Sequence, residues 1–218
     1  RSFMSPEDFQ GFIRNIDGLM SGGDIQKDGN TCFVSRIEGG GRDVIVKRFN
    51  SKGFSHSLRQ TLKTPRARRC WLNAHRLLLR GIATAPPLAF IELRKAGIIY
   101  TSYIITEYID GEKLKAFMQR PHHTEAVKAK VLEKVKHLLE QMDRCRIMHG
   151  DLKQSNILIK DETPYLIDLD GMRVSVLPAL HERRKRKDWN RLCRNADSIP
   201  ELERSLCCGA HVKKALTR

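Results

Sequence analysis

The sequence predicts an α+β chain in two lobes: an antiparallel sheet with one main helix, then a reduced, mostly helical half. Three observations carry this. Short apolar runs separated by glycine turns crowd the first 108 residues. A long helical stripe and a basic helical tail dominate the remainder. Among them, "HGDLKQSN" at 149–156 and "PYLIDLDG" at 164–171 place acids around a short apolar strand, "ILI". The lobes are expected at 1–108 and 109–218, joined near Glu107–Gly111.

In chain order, "SPEDFQGFIRNI" opens a helix, with Ser5 as N-cap, Pro6 at the first position, and Glu7 and Asp8 complementing the helix dipole. Three strand-like runs follow, Asp24–Lys27, Thr31–Ile37 and Val44–Phe49, separated by "DGN" and "GGGR" turns, and read as an antiparallel meander. From Pro65 to Arg80 the period is helical, with Trp71, Ala74, Leu77 and Leu78 expected on one buried face. "GIATAPP" ends it, and strands follow near Leu88–Leu93 and Ile98–Tyr108. A long helix is predicted over roughly Thr124–Arg146, with Val127, Val131, Val135, Leu138, Leu139 and Met142 on its stripe. "HGDLKQSN" is then a loop, because it follows a helix and precedes a strand.

Composition narrows the function. The 40% hydrophobic content supplies a core, and no run approaches the roughly 18 apolar residues of a membrane span. No signal peptide is expected from the polar start of the sequence. Six cysteines without a CxxC pair are expected to be free thiols in a cytoplasmic protein. The formal net charge of +15 points to an acidic partner. Ten Lys or Arg and no acid lie between Val44 and Ile91, and "HERRKRKDWNR" adds a basic tail. Aromatics make up only 6% of the chain, which argues against stacking recognition of nucleic acid. An anionic membrane surface or anionic substrate fits better.

The chemistry gathers on a few residues. Asp151 and Asn156 are five apart on the loop, and Asp168 follows twelve later at the end of the next strand. Asn156 and Asp168 offer hard oxygens of the kind Mg²⁺ takes, its shell completed by water and nucleotide phosphate. Asp151 is then available to accept a proton from an attacking hydroxyl, with Lys153 near the transferring phosphoryl group. Lys47, in "VIVKRF", lies on the third strand, where an ammonium holds nucleotide phosphates. His149 is expected to brace the loop. Asp170 reads equally as a second acidic ligand or as a turn residue. His122 and His123 are expected to be solvated.

In this order, "VIVK", "HGDLKQSN" and "IDLDG" resemble the lysine strand, catalytic loop and metal motif of the protein kinase-like superfamily. "HGDL" is similar to RIO kinases, aminoglycoside kinases and bacterial lipopolysaccharide core kinases. "ARRCWLNAHRLLLRGIATAPPLAF", "VIVKRFN" and "YLIDLDGMR" resemble the last group, the Kdo/heptose kinases, over about residues 24–195. The resemblance implies a two-lobed kinase-like fold with ATP between the lobes. It implies transfer of the γ-phosphate to a Kdo or heptose hydroxyl of the lipopolysaccharide inner core, at the inner face of the bacterial inner membrane. Catalytic roles then fall to Asp151 and Lys153, metal ligation to Asn156 and Asp168, and nucleotide binding to Lys47, Gly29, Asn30, Thr31, Glu107 and Tyr108, the last two through their backbone.

Three departures qualify it. No acid stands at the helix position that would pair with Lys47; by register Cys70 falls there, with Asn73 or a metal-bound phosphate as substitutes. There is no Gly-x-Gly-x-x-Gly loop, only "KDGNTCF". No Ala-Pro-Glu segment follows Asp168, which argues against a peptide platform. The alternatives are a RIO-like Ser/Thr protein kinase and a catalytically silent nucleotide-binding module.

Overall fold

The computed structural model describes residues 3–50 and 64–194. It divides into two compact units: 1–76 with 85–108, and 77–84 with 109–218.

The first unit is built on a five-stranded antiparallel sheet: β1 (Asp24–Gly29), β2 (Cys32–Gly39), β3 (Arg42–Asn50), β4 (Pro87–Lys95) and β5 (Ile98–Glu107). The strand order is β1-β2-β3-β5-β4. β1 and β2 each run two residues past their expected ends because ladder pairs continue to Gly29–Cys32 and Gly39–Arg42. Alternation assigns the faces. Phe33, Ile37, Val44, Val46, Ile91, Tyr103 and Ile105 pack with Phe12, Ile16 and Met20. These three come from α1 (Pro6–Arg14) and α2 (Ile16–Gly22). Ser5 caps α1 as expected, accepting from the Asp8 amide at 3.1 Å. The short α2 was not legible, since Gly18 and Gly22 argue against helix. Burial of Ile16 and Met20, together with Asp17, holds it. Asp17 accepts from the Tyr103 hydroxyl at 3.1 Å and from Arg48 at 2.9 Å. Burial, then the Asp17 charge, pushes the Tyr103 hydroxyl pKa upward.

The opposite face carries Cys32, Phe49 and Ile104, covered by Ala67 and Cys70 of α3 (Arg66–Leu78). Here the expected stripe needs correction. The buried positions include Ala67, Cys70, Ala74 and Leu77, whereas Leu78 is 39% exposed. Steps of three and four residues from Ala67 end at Leu77, and Leu78 lies about 100° around the helix from it. Trp71 is half-buried against Phe90, ring centroids 5.5 Å apart.

The second unit holds α5 (Glu125–Arg144), capped by Thr124. Its buried stripe is Val131, Leu132, Val135, Leu138, Leu139 and Met142, with Val127 only half-buried. A sheet ordered β6-β8-β9 joins β6 (Glu112–Lys113), β8 (Ile157–Lys160) and β9 (Thr163–Leu166). The pair β7 (Ile147–Met148) and β10 (Arg173–Val174) is antiparallel. The helix α4 (Leu114–Gln119) and β6 are too short to leave a periodic signal. The basic tail forms α6 (Pro178–Cys193). His123 is not simply solvated: it stacks on Phe117, centroids 4.0 Å apart. The free-thiol expectation holds for Cys32, Cys70 and Cys145. Cys193, by contrast, is disulfide-bonded. The expectations for Cys207 and Cys208 lie outside the described residues. Among the described residues, no helix is long and apolar enough to cross a membrane.

Candidate active site

In the second unit a loop from β7 to β8 carries His149, Asp151, Lys153 and Asn156, the last in a 3-10 turn spanning Gln154–Asn156. The sequence folds this way because β7 is pinned to β10, Met148 opposite Arg173, while β8 pairs with β9, Ile157 opposite Leu166. Both ends of the loop and both ends of the Asp168 segment are therefore held.

His149 is fully buried, and its Nε2 lies 2.9 Å from the Ile167 carbonyl. The carbonyl can only accept, so Nε2 carries the proton and donates. Burial holds the imidazole pKa below its usual range, against the carbonyl bond and the charges of Asp188, Asp168 and Asp151. A neutral His149 is therefore a structural brace. The Ile167 amide in turn donates to the Asn156 carbonyl at 3.0 Å. Asn156, 5% exposed, turns its Nδ2 to the Asp151 carbonyl at 2.9 Å and toward the Asp151 carboxylate at 3.4 Å. That orientation directs Oδ1 away from these acceptors. Lys153 Nζ stands 3.0 Å from Asp151 Oδ2, and both side chains are about half exposed.

Asp168 adopts a left-handed backbone, φ 63° and ψ 58°, and leads into a 3-10 turn over Leu169–Gly171 that includes the half-buried Asp170. Asp tolerates this region better than a branched residue does. Gly150 is also left-handed, at φ +83°, and a Cβ there would lie 2.4 Å from the Gly171 carbonyl oxygen. The loop and the Asp168 turn thus meet backbone to backbone, which only glycine permits.

Two functional features escaped the sequence reading. Asp188 of α6, 5% exposed, accepts from the Gly150 amide at 2.9 Å. Arg191 donates to the Gly150 carbonyl, and Gln154 Nε2 to the Leu192 carbonyl at 3.3 Å. The tail helix read only as a basic face therefore also clamps the loop. An acid inside "RKRKDWNR" was the available signal. The second feature is "GIATAPP". Thr84, 2% exposed, donates its hydroxyl to the Leu166 carbonyl at 2.6 Å, and the Leu166 amide donates to the Ala83 carbonyl at 3.0 Å. What reads as a helix breaker braces β9 two residues before Asp168.

In the first unit Lys47 is half-buried on β3, opposite Val34 and Ile104, with Nζ 5.1 Å from the Phe49 ring centroid. It shares the sheet face of Phe49, the face on which Cys70 packs. Gly29 pairs with Cys32, and Asn30 and Thr31 form an exposed two-residue turn. The Glu107 amide donates to the Pro86 carbonyl at 2.9 Å, and the Tyr108 amide to the Asp43 carbonyl at 3.2 Å. Arg36 lies 3.9 Å from the Tyr108 ring centroid.

Among the described residues no group of three or more His, Cys, Asp or Glu could hold a metal. The donor set of Asn156 and Asp168 fits the alternative, a hard divalent ion bound by few protein oxygens.

A strand lysine on an antiparallel sheet, a His-x-Asp loop ending in Asn, and an Asp beyond a β-hairpin define the protein kinase-like class of phosphotransferases. The comparisons with known proteins are specific within that class. The model of the lipopolysaccharide kinase (Kdo/WaaP) family matches residues 23–206, and the chain belongs to that family. A solved structure described as WaaP in complex with acyl carrier protein superposes with a TM-score of 0.65 at 20% identity, covering 98% of this chain and 90% of that one. That likeness is one of fold.

Two curated proteins are similar over shorter stretches. One is a probable bifunctional tRNA threonylcarbamoyladenosine biosynthesis protein of Methanospirillum hungatei, 34% identical over 84 residues, 35% of this chain and 14% of that protein. The other is the KEOPS complex subunit Bud32 of Pyrococcus abyssi, 34% identical over 65 residues, 30% of this chain and 29% of that protein. The chain thus matches less than a third of the length of either curated relative.

Proposed function

We propose that this chain is an ATP-dependent phosphotransferase that places the γ-phosphate on a sugar hydroxyl, Kdo or heptose, of the lipopolysaccharide inner core. The observation that carries the reading is the hydrogen-bonded ring that links His149 to Ile167, Ile167 to Asn156, and Asn156 to Asp151. It holds the carboxylate of Asp151, the amide oxygen of Asn156 and the segment leading to Asp168 in one cluster.

In this reading Asp151 orients the acceptor hydroxyl and takes its proton. Lys153, ion-paired to Asp151, steadies that carboxylate until a phosphoryl group arrives to share its charge. Asn156 and Asp168 would hold Mg²⁺, which supplies charge neutralisation on the phosphates. Lys47 and the main chain of Gly29, Asn30 and Thr31 contact the nucleotide phosphates. Glu107 and Tyr108, whose amides are bonded to the Pro86 and Asp43 carbonyls, meet the base through their carbonyls. Catalysis is then mainly positioning and electrostatic preorganisation.

The test is ADP release with purified lipopolysaccharide core, wild type against Asp151→Ala. A loss of about a hundredfold or more is expected, the scale of a general base; equal rates would remove Asp151 from the mechanism. A second reading, a RIO-like Ser/Thr protein kinase, follows from the "HGDL" of the loop, and phosphate found on protein rather than oligosaccharide would select it. Exposed Arg173, Arg183, Arg186 and Lys187 suit peripheral contact with anionic lipid at the cytoplasmic face of the inner membrane. A protein partner is the other candidate for this surface, since the similar WaaP structure is a complex with acyl carrier protein.

A further inference from the structure

The second unit contains a cavity of about 530 Å³ beside Asp151, within the range of small-molecule sites. Its floor is Asp151, Lys153, Gln154 and Ser155. One wall is Lys113 of β6 with the exposed face of α4, including Lys115, and the other is the end of α6 with Arg191 and Arg194. Five cations therefore surround a single carboxylate.

The pairing of these cations is informative. Lys153 is paired with Asp151, and Arg191 is spent on the Gly150 carbonyl and Asp188. Among the described residues, no carboxylate pairs with Lys113, Lys115 or Arg194. This is unlike much of the nearby surface, where Arg120 meets Glu112, Lys128 meets Glu125, and Lys130 meets Glu162. Like charges gathered in a concavity focus a positive field, which repels other cations and attracts an anion. A neutral sugar gains nothing from such a field. An acceptor that bears its own oxyanion gains charge-assisted hydrogen bonds while its hydroxyl faces Asp151.

We propose that this cavity recognises a second, anionic group on the acceptor, a carboxylate or phosphate carried by the sugar, through Lys113, Lys115 and Arg194. The proposal rests on the phosphotransfer reading above. It makes these three residues determinants of acceptor specificity: they bind the anion and take no part in the chemistry.

The experiment uses deacylated core oligosaccharide in three forms: untreated, phosphatase-treated, and reduced at its carboxyl groups. Binding is read by calorimetry and turnover by ADP release, for wild type, Lys115→Ala, Arg194→Ala and the double variant. With the untreated acceptor, the variants should raise Kd and acceptor KM about 10- to 100-fold, the worth of one or two hydrogen bonds to a charged group. Values of kcat and KM for ATP should stay within about twofold. Removing the recognised anion should weaken wild-type binding by the same factor and abolish the difference between wild type and variants. Which treatment does so tells phosphate from carboxylate.

Turnover with variants indistinguishable from wild type overturns the inference and leaves the phosphotransfer reading standing. A rise in KM for ATP alone also overturns it, assigning the cations to the nucleotide. Binding that weakens in the variants without any turnover keeps the site and sinks the phosphotransfer reading. No binding and no turnover sinks both. Unchanged thermal melting of these surface variants excludes unfolding as the cause.

Discussion

Gly150 shows how much a single residue carries at this site. Its left-handed backbone and its contact with Gly171 leave no room for a Cβ. Gly150→Ala would have to move one of two backbones that are themselves pinned by β7 and β10. We expect a loss of at least about 2 kcal/mol in urea denaturation, the scale of imposed backbone strain, together with loss of activity. A variant of wild-type stability would show that the close approach is not maintained in solution. His149 sets a pH dependence. Its folded pKa lies below the unfolded value of about 6.5. Below that value the unfolded chain takes up a proton that the buried ring resists. The contribution to stability is therefore complete above the unfolded pKa and declines as pH falls beneath it. His149→Gln should flatten the slope of unfolding free energy between about pH 7 and 5. An unchanged slope would assign the titration to other groups.

At the scale of elements, α6 decides whether the loop has a fixed shape. Its Asp188 accepts from the Gly150 amide and its Arg191 donates to the Gly150 carbonyl. The start of the helix is tied to α5 through Asp143, which accepts from His181 Nε2 at 2.7 Å and Lys185 Nζ at 2.6 Å. Burial alone would raise the Asp143 pKa, but the bonds and charges of Lys185 and His181 hold it below the usual range. Asp188→Ala leaves the Gly150 amide without its acceptor and should cost about 1–3 kcal/mol. A fall in kcat should accompany it while KM for ATP holds. Normal kcat with normal stability would exclude α6 as the support of the loop. The sequence hints at these ties only through the lone Asp of "HERRKRKDWNR", which the surrounding basic residues outweigh. The hairpin of β8 and β9 was legible from apolar runs. Its turn was not, since Asp161 and Glu162 both take positive φ without a glycine.

At the scale of the whole molecule, charge is the dominant property. The net +15 is concentrated enough that association with anionic surfaces should be electrostatic. The chain should co-sediment with vesicles containing phosphatidylglycerol and not with neutral phosphatidylcholine vesicles. Raising salt from about 0.1 to 0.5 M should weaken binding about tenfold or more as the Debye length contracts. Binding that ignores salt would point instead to apolar insertion. The chain divides into two compact units, 1–76 with 85–108 and 77–84 with 109–218. The 77–84 segment belongs to the second unit. Its bonds to Leu166 join residues more than eighty positions apart, and no local pattern encodes them.

By itself the sequence determined the elements whose signal is local. These are the β1–β5 runs, the Ser5 and Thr124 caps, the stripe of α5, and the ordered motif of Lys47, Asp151, Asn156 and Asp168 that led to the kinase family. Alternation, capping and spacing are properties of neighbouring residues, so they survive without a fold. Only the tertiary structure decided that Asp188 and Arg191 clamp the loop, that Thr84 braces β9, and that Lys113, Lys115 and Arg194 share a cavity with Asp151. Each of these joins residues distant in the chain, and the energy that selects them comes from burial and hydrogen bonds formed only when distant segments pack.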